Sequence, residues 1–276
     1  MALRSYLHST FDPRRVPGLQ AWYDAADSAS ITLNSGRVSQ WSDKSGNARH
    51  ATNTTSGSTQ PSYTAAGRNG LNVLSFAAAS VQRLSVPSST ATFKFLHDGT
   101  PCWWVAVTSY GASSNPNTAY VTFATNSGSS QSGVYYIFED RSAIGGNDGG
   151  VFGVANGSGI VADAYSVTGY TGSTNNIITP QTATIQEMLV DVANATAANR
   201  AILRINGGSG ITFNTYLATP SSAASQTNFT IGALNNGALP LQGELYELMF
   251  FNQHPTAAAR DLIRRYLGAK WGVTVA

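Results

Sequence analysis

The chain has 276 residues, a single cysteine and a formal net charge of +2, and only 11% of it is Asp, Glu, Lys or Arg, against the roughly 25% usual for soluble domains. So weak a charge argues against nucleic-acid binding, which needs clustered Lys and Arg. One cysteine, Cys102, rules out an internal disulfide, and no run of about 18 apolar residues is present to span a membrane.

Residues 1–17 read as an extended N-terminal arm. Pro13 and Pro17 break helix, and Arg4, Arg14 and Arg15 add local positive charge, so the segment reads either as a frayed terminus or as an arm that docks on a partner subunit. The segment lacks the apolar core of about 7–15 residues that marks a signal peptide, so the expectation is folding in a reducing cytoplasm. From residue 18 strands dominate. "GLQAWYDA" is a short aromatic-rich strand, and "RVSQWSD" alternates, with Val38 and, one bulge later, Trp41 turned inward. "NVLSFA", "QRLSV", "CWWVAVTSY", "AYVTFAT", "GVYYIFED", "GVFGVA", "QEMLVDVA", "AILRING", "ITFNTY", "TNFTIGAL" and "GELYELMFFN" follow, separated by Gly, Asn, Ser and Pro clusters. Short strands at regular spacing predict an all-β sandwich or barrel, and no shift in composition divides residues 18–276. In "PCWWVAV" Cys102 is expected to be a buried thiol. The spacing predicts one helix over about 257–270, with Thr256 as N-cap and Gly272 beyond its end. Its apolar stripe is Leu262, Ile263, Tyr266, Leu267 and Trp271, with Arg264, Arg265 and Lys270 complementing the helix dipole.

Three segments together carry a resemblance: "PGLQAWYDAADSASIT" with "GRVSQWSDKSGNARHAT" and "QPSYT"; "NGLNVLSF"; and "FTIGALNNGALPLQGELYELMFFNQHPTAAARDLIRRYLGAKWGV". They resemble the laminin-G-like, concanavalin A-like jelly-roll domain found in many phage structural proteins. The most specific element is Tyr266, Leu267, Lys270, Trp271 and Gly272. The resemblance implies a two-sheet antiparallel β-sandwich with the terminal helix packed outside it. It covers both ends of the chain; residues from about 90 to 200 match only in being strand-rich.

Candidate chemistry is sparse. In "GELYELMFF" strict alternation puts Leu245, Glu247 and Met249 on one face and Glu244, Tyr246, Leu248 and Phe250 on the other, so Glu247 needs a bulge or a polar partner. A retaining glycosidase needs two carboxyl groups about 5–5.5 Å apart, whereas Glu244 and Glu247, like Glu139 and Asp140, fall on opposite faces of their strands unless a bulge intervenes. Calcium, held in rim loops in many domains of the resembled kind, has a candidate set in Asp24, Asp27, Asp43 and Asn47, with Asn147 and Asp148 of "GGNDGG" as another loop; Asp in the setting of Asp24 and Asp27 is more often a turn cap. His8, His50, His97 and His254 are scattered, with no metal-ligand spacing. Within "DKSGN", Gly46 and Asn47 tolerate positive φ and Asp43 caps the turn. Trp103 and Trp104, and Tyr135 and Tyr136, come in adjacent pairs, so one member of each is expected to face outward, where it could stack on a sugar ring or be covered by a loop or a neighbouring subunit.

The resulting expectation is a non-enzymatic virion protein, a surface or head decoration protein that docks through its N-terminal arm on capsid or tail subunits, homo-oligomeric in the particle. It would be synthesised in the cytoplasm of a bacterial host and would require no cofactor. The rival is a carbohydrate-binding adhesin module of a tail fibre tip, baseplate or bacterial surface. A glycoside hydrolase is the third reading.

Overall fold

The computed structural model describes residues 11–55, 57–96, 98–110, 119–124, 133–141, 147–156, 159–162, 181–191, 193–212, 224–225, 227–233, 237 and 240–276, with backbone and pairing alone for the strands between 119 and 162 and for 211–212. β-Branched and aromatic runs between Gly, Asn and Ser turns form the strands, as pleated, half-buried surfaces favour. In chain order they are β1 (Leu19–Asp24), β2 (Ile31–Asn34), β3 (Arg37–Trp41), β4 (Ala51–Thr52), β5 (Ser62–Arg68), β6 (Leu71–Phe76), β7 (Leu84–Ser85), β8 (Cys102–Tyr110) and β9 (Ala119–Ala124). They continue with β10 (Gly133–Arg141), β11 (Asn147–Asn156), β12 (Gly159–Ala162), β13 (Thr184–Val190), β14 (Ala201–Ile205), β15 (Ile211–Thr212), β16 (Thr230–Ile231) and β17 (Gly243–Phe251), and one helix, α1 (Ala257–Trp271), closes the chain.

The pairings are antiparallel and resolve into two layers. In the first, β17 lies between β8 on one side and β1 with β6 on the other; β8 continues to β13, β14 and β15, and β6 to β5. The second runs β2, β3, β4, β7, β16, β9, β10, β11, β12. A single pair, Arg37 with Ser62, joins the layers through β3 and β5. The fold is therefore an all-β antiparallel sandwich with one C-terminal helix.

The strands β1, β6, β8, β13 and β17 of the first layer feed two cores. Ala21, Tyr23, Leu74, Trp104, Ala106, Met188, Leu245, Leu248 and Phe250 face the second layer and meet Val38, Trp41, Leu84, Phe229 and Ile231. Trp22, Trp103, Val105, Val107, Ile185, Met249 and Phe251 face the other way and meet Ile263, Tyr266, Leu267 and Trp271 of α1. Cys102 is buried between the layers, and burial pushes its thiol up, well out of the reactive range. Val38 and Trp41 are both fully buried, with a register shift in the β2–β3 pair beside them.

Several expectations are corrected. Trp103 and Trp104 are both completely buried, Trp103 under α1 and Trp104 in the sandwich, so neither presents a face for sugar stacking. Asn147 and Asp148 lie in β11, paired with Arg141 and Asp140, instead of in a loop. Of the 1–17 arm, the described part belongs to the body: Pro13–Arg15 form a 3-10 turn capped by Asp12, Val16 is buried, and the Phe11 ring lies 5.4 Å from that of Tyr266. On α1, Leu262, expected in the buried stripe, is 45% exposed, while Lys270, expected only to complement the helix dipole, is buried. The helix spacing was right; the buried face is rotated toward Lys270 because two acids wait there. Thr256 accepts from the Ala259 amide at 3.2 Å, and Gly272 ends the helix at φ +68°, a conformation that favours glycine. No helix among the described residues is long and apolar enough to cross a membrane.

Candidate functional site

Asp24 of β1, Glu247 of β17 and Lys270 of α1 converge on one buried centre. It is built by a bulge: between Leu245 and Glu247 the register of β17 against β8 slips by one, with Tyr246 as the extra residue. Tyr246 and Glu247 both turn toward α1 as a result. The Glu247 carboxylate then accepts from the indole N–H of Trp22 (2.8 Å), the indole N–H of Trp271 (2.8 Å), the Tyr266 hydroxyl (3.1 Å) and the Lys270 ammonium (2.8 Å). Lys270 also donates to Asp24 Oδ1 at 2.6 Å and to the Tyr266 hydroxyl at 3.1 Å.

Asp24, at the end of β1, takes a second ammonium on its other oxygen, from Lys44 at 2.8 Å. Lys44 reaches Asp27 at 2.8 Å as well and lies 4.4 Å above the Trp22 ring. Burial raises the Asp24 carboxyl, but Lys270 and Lys44 outweigh it and hold it below the ordinary carboxylate range. At Glu247 burial dominates, and with the charge of Asp24 it lifts the carboxyl above that range in spite of Lys270. A second buried acid, Glu187 on β13, accepts from Arg264 Nε of α1 at 2.6 Å and from the Trp103 indole at 3.1 Å. Burial raises it too, against the pull of Arg264.

The loop after β3 is organised by Asp43. Its carboxylate accepts from the backbone amides of Trp22, Ser45 and Arg49 at 2.9, 2.9 and 3.0 Å and from the Ser45 hydroxyl at 2.8 Å, and its own amide donates to His50 Nδ1 at 3.1 Å. Asn47 donates its side-chain amide to the carbonyls of Leu19 and Gln20. Gly46 and Ala48, instead of Gly46 and Asn47, take positive φ. Of the candidate calcium ligands, Asp24 and Asp27 are thus brought together around the Lys44 ammonium, while Asp43 and Asn47 are turned onto backbone groups. The cation these carboxylates face is supplied by the chain itself. No group of three or more His, Cys, Asp or Glu suited to a metal occurs among the described residues.

Beside this centre opens a cleft of about 850 Å³, with Trp22, Asp24, Tyr266 and Lys270 at its floor and Arg14, Arg15, Asp27 and Lys44 among its rim. Arg14 is tied to Asp12 at 2.8 Å, and Arg15 is exposed. Arg4, His8 and His97 lie outside the described residues. Tyr135, Tyr136, Glu139 and Asp140 fall in β10, whose side chains lie outside what is described. His254 meets the Val190 carbonyl at 3.1 Å. The sequence called for a partner for Glu247; it did not reveal Lys270 as that partner or Glu187 as a second buried acid, although an acid inside the apolar run "TIQEMLV" was a signal of the same kind.

The architecture, an antiparallel β-sandwich, has counterparts among solved structures. The chain is similar in fold to domain 4 of AbnA, an extracellular GH43 arabinanase from Geobacillus stearothermophilus solved with arabinotriose: 16% identity, 90% of this chain and 99% of that one, TM-score 0.55. It is also similar to Trypanosoma rangeli sialidase, at 10% identity and TM-score 0.51, covering 100% of this chain but only 38% of the sialidase. No family model matches the chain, and no curated protein matches it.

Proposed function

We propose that this chain is a non-catalytic carbohydrate-binding module. The observation that carries this reading is the use made of its buried acids: Asp24, Glu187 and Glu247 are each held by Lys or Arg inside the fold. Glycoside hydrolysis needs one carboxyl free to exchange a proton with the leaving group and a second roughly 5–10 Å away, both reachable by sugar. Glu247 is sealed beneath α1 by two indoles, a phenol and an ammonium, so it can do neither. None of these three acids is free for that role, and recognition without turnover is the part of the neighbours' chemistry we infer for this chain; the arabinotriose bound by the arabinanase domain supports it. The test is a glycan array probed with the purified chain, alongside a reducing-sugar assay on the glycans it retains. Specific retention without sugar release is expected; no retention on the array, or release from a retained glycan, overturns the reading.

A second reading concerns the carrier. The two ends of the chain resemble phage structural proteins, which favours a module displayed in several copies on a virion. The exposed Arg14 and Arg15 at the rim of the large cleft would face a capsid or tail subunit. Charge reversal at both (Arg14→Glu with Arg15→Glu) is then expected to leave the fold intact and deplete the protein from purified particles, as counted by mass spectrometry. Unchanged stoichiometry, or no such protein in particles, counts against it.

A further inference from the structure

We infer that a second cleft, at the C-terminal end of α1, is a site for a neutral, hydroxyl-rich ligand of the vicinal-diol type. This rests on the carbohydrate-binding reading and gives it a place and a ligand class. The cleft holds about 430 Å³ and is lined by Arg68, Ser75, Ser109, Gln242, Glu244 and Tyr246, among others; small-molecule sites span roughly 300–1,000 Å³.

Its floor is set by register. Glu244 of β17 pairs with Ser75 of β6 on one side and Ser109 of β8 on the other, so three polar residues stand in a row across three strands, about 4.8 Å from one to the next. Half of Glu244 is already positioned: Oε2 accepts from the Tyr246 hydroxyl at 2.7 Å. The Tyr246 ring is held against Trp271, with centroids 5.2 Å apart. The other carboxylate oxygen of Glu244 accepts from no described residue.

The walls add donors in the same state. Gln242 accepts the Ala78 amide on its oxygen at 2.9 Å, which fixes the orientation of its side chain and leaves its NH2 group over. Arg68 spends Nε on the Trp271 carbonyl at 3.1 Å and Nη2 on the Gly272 carbonyl at 3.4 Å, leaving Nη1 without a partner among the described residues. The cleft thus presents one anionic acceptor, an amide donor, a guanidinium donor and the Ser75 hydroxyl, which does both, while the Ser109 hydroxyl is engaged with Tyr246. A sugar hydroxyl is itself donor and acceptor, and adjacent hydroxyls match such an alternating set. Glu244 and Arg68 cancel in charge, so neither an acidic sugar nor a cation is favoured. The larger cleft differs in this respect, because its floor acids are consumed by lysines.

The experiment is titration calorimetry of the full chain with neutral oligosaccharides (arabinotriose, mannotriose, cellotriose) and with sialyllactose as the acidic probe, repeated on Glu244→Gln and on Ser75→Leu, which fills the floor. Binding of at least one neutral probe is expected, with affinity falling tenfold or more in Glu244→Gln, as loss of a hydrogen bond to a charged group implies, and in Ser75→Leu because the added side chain occupies the floor. Should Glu244→Gln not fold, Ser75→Leu carries the test. Neutral-sugar binding untouched by the substitutions, or binding of sialyllactose alone, overturns this site while leaving the carbohydrate-binding reading standing. Failure of the wild-type chain on every probe here and on the array overturns both.

Discussion

Lys270 carries its charge into the interior, where Asp24 and Glu247 wait on two adjacent strands. Removing one member of such a buried set leaves uncompensated charge, which costs about 3–5 kcal/mol. Lys270→Met is therefore expected to lower the unfolding free energy, measured by urea denaturation, by an amount of that order. A triple variant that also carries Asp24→Asn and Glu247→Gln should recover most of the loss, because no charge is left buried; a triple variant no better than the single one would refute this account. The centre also sets an acid-side stability profile. Glu187 and Glu247 lie above the ordinary carboxylate range, so the folded chain binds their protons first, and their contribution falls as pH rises through that window. Asp24 lies below the range, so its contribution is lost only as pH falls through its lowered value. Melting temperature should climb as pH drops from neutrality toward the ordinary carboxylate range and fall beyond it, and Glu187→Gln should climb less steeply than wild type. Helical spacing located Lys270 near the end of α1 but could not say what it faces, because its partners come from strands 246 and 23 residues away in sequence.

At the scale of the element, the loop from Asp43 to His50 shows how polar density can be read in two ways. Asp43 and Asn47 read as calcium ligands, and both are consumed in holding the loop on β1, while Ser45 and His50 brace Asp43 from within the loop. Asp43→Ala frees three backbone amides and a hydroxyl at a buried position. Each donor left unsatisfied costs about 1–3 kcal/mol, so a loss of several kcal/mol and fast hydrogen exchange at the Trp22, Ser45 and Arg49 amides are expected. Millimolar calcium should leave the wild-type melting temperature unchanged, since a ligand stabilises only by binding the folded state and the Asp24–Asp27 position is occupied by Lys44; a concentration-dependent rise would reinstate the calcium site. The turn itself was legible from Ser45, Gly46 and Asn47. The bulge at Tyr246 was legible only as a need, since alternation exposes the conflict at Glu247 without saying which residue is extra. β2, β4, β5 and β12 escaped sequence reading because they are short or polar: β5 exposes Thr64 to Gly67 and buries none of its residues.

For the whole molecule, α1 decides whether the first layer has one wet face or two dry ones. The outer face of that layer carries Trp22, Trp103, Val105, Val107, Ile185, Met249 and Phe251, and it is covered by α1 and the segment around Val16. Burying one large apolar side chain contributes about 1.5–3 kcal/mol, so exposing several exceeds the 5–15 kcal/mol by which domains are stable. Loss of the helix would also strip Glu187 and Glu247 of Arg264 and Lys270. The motif that carried the resemblance, Tyr266, Leu267, Lys270, Trp271 and Gly272, is in this light the fastening of the helix to the sandwich: it reports the fold and is silent on the ligand. A chain ending at Pro255 is accordingly expected to aggregate or to elute as an expanded species in size-exclusion chromatography. A peptide of residues 256–276 added during refolding should restore a monomer with native near-ultraviolet dichroism, whereas the same peptide carrying Lys270→Met and Trp271→Ala should not. A truncated chain that is monomeric and native-like by itself would show that the sandwich stands without its helix, and the buried centre would then need another explanation.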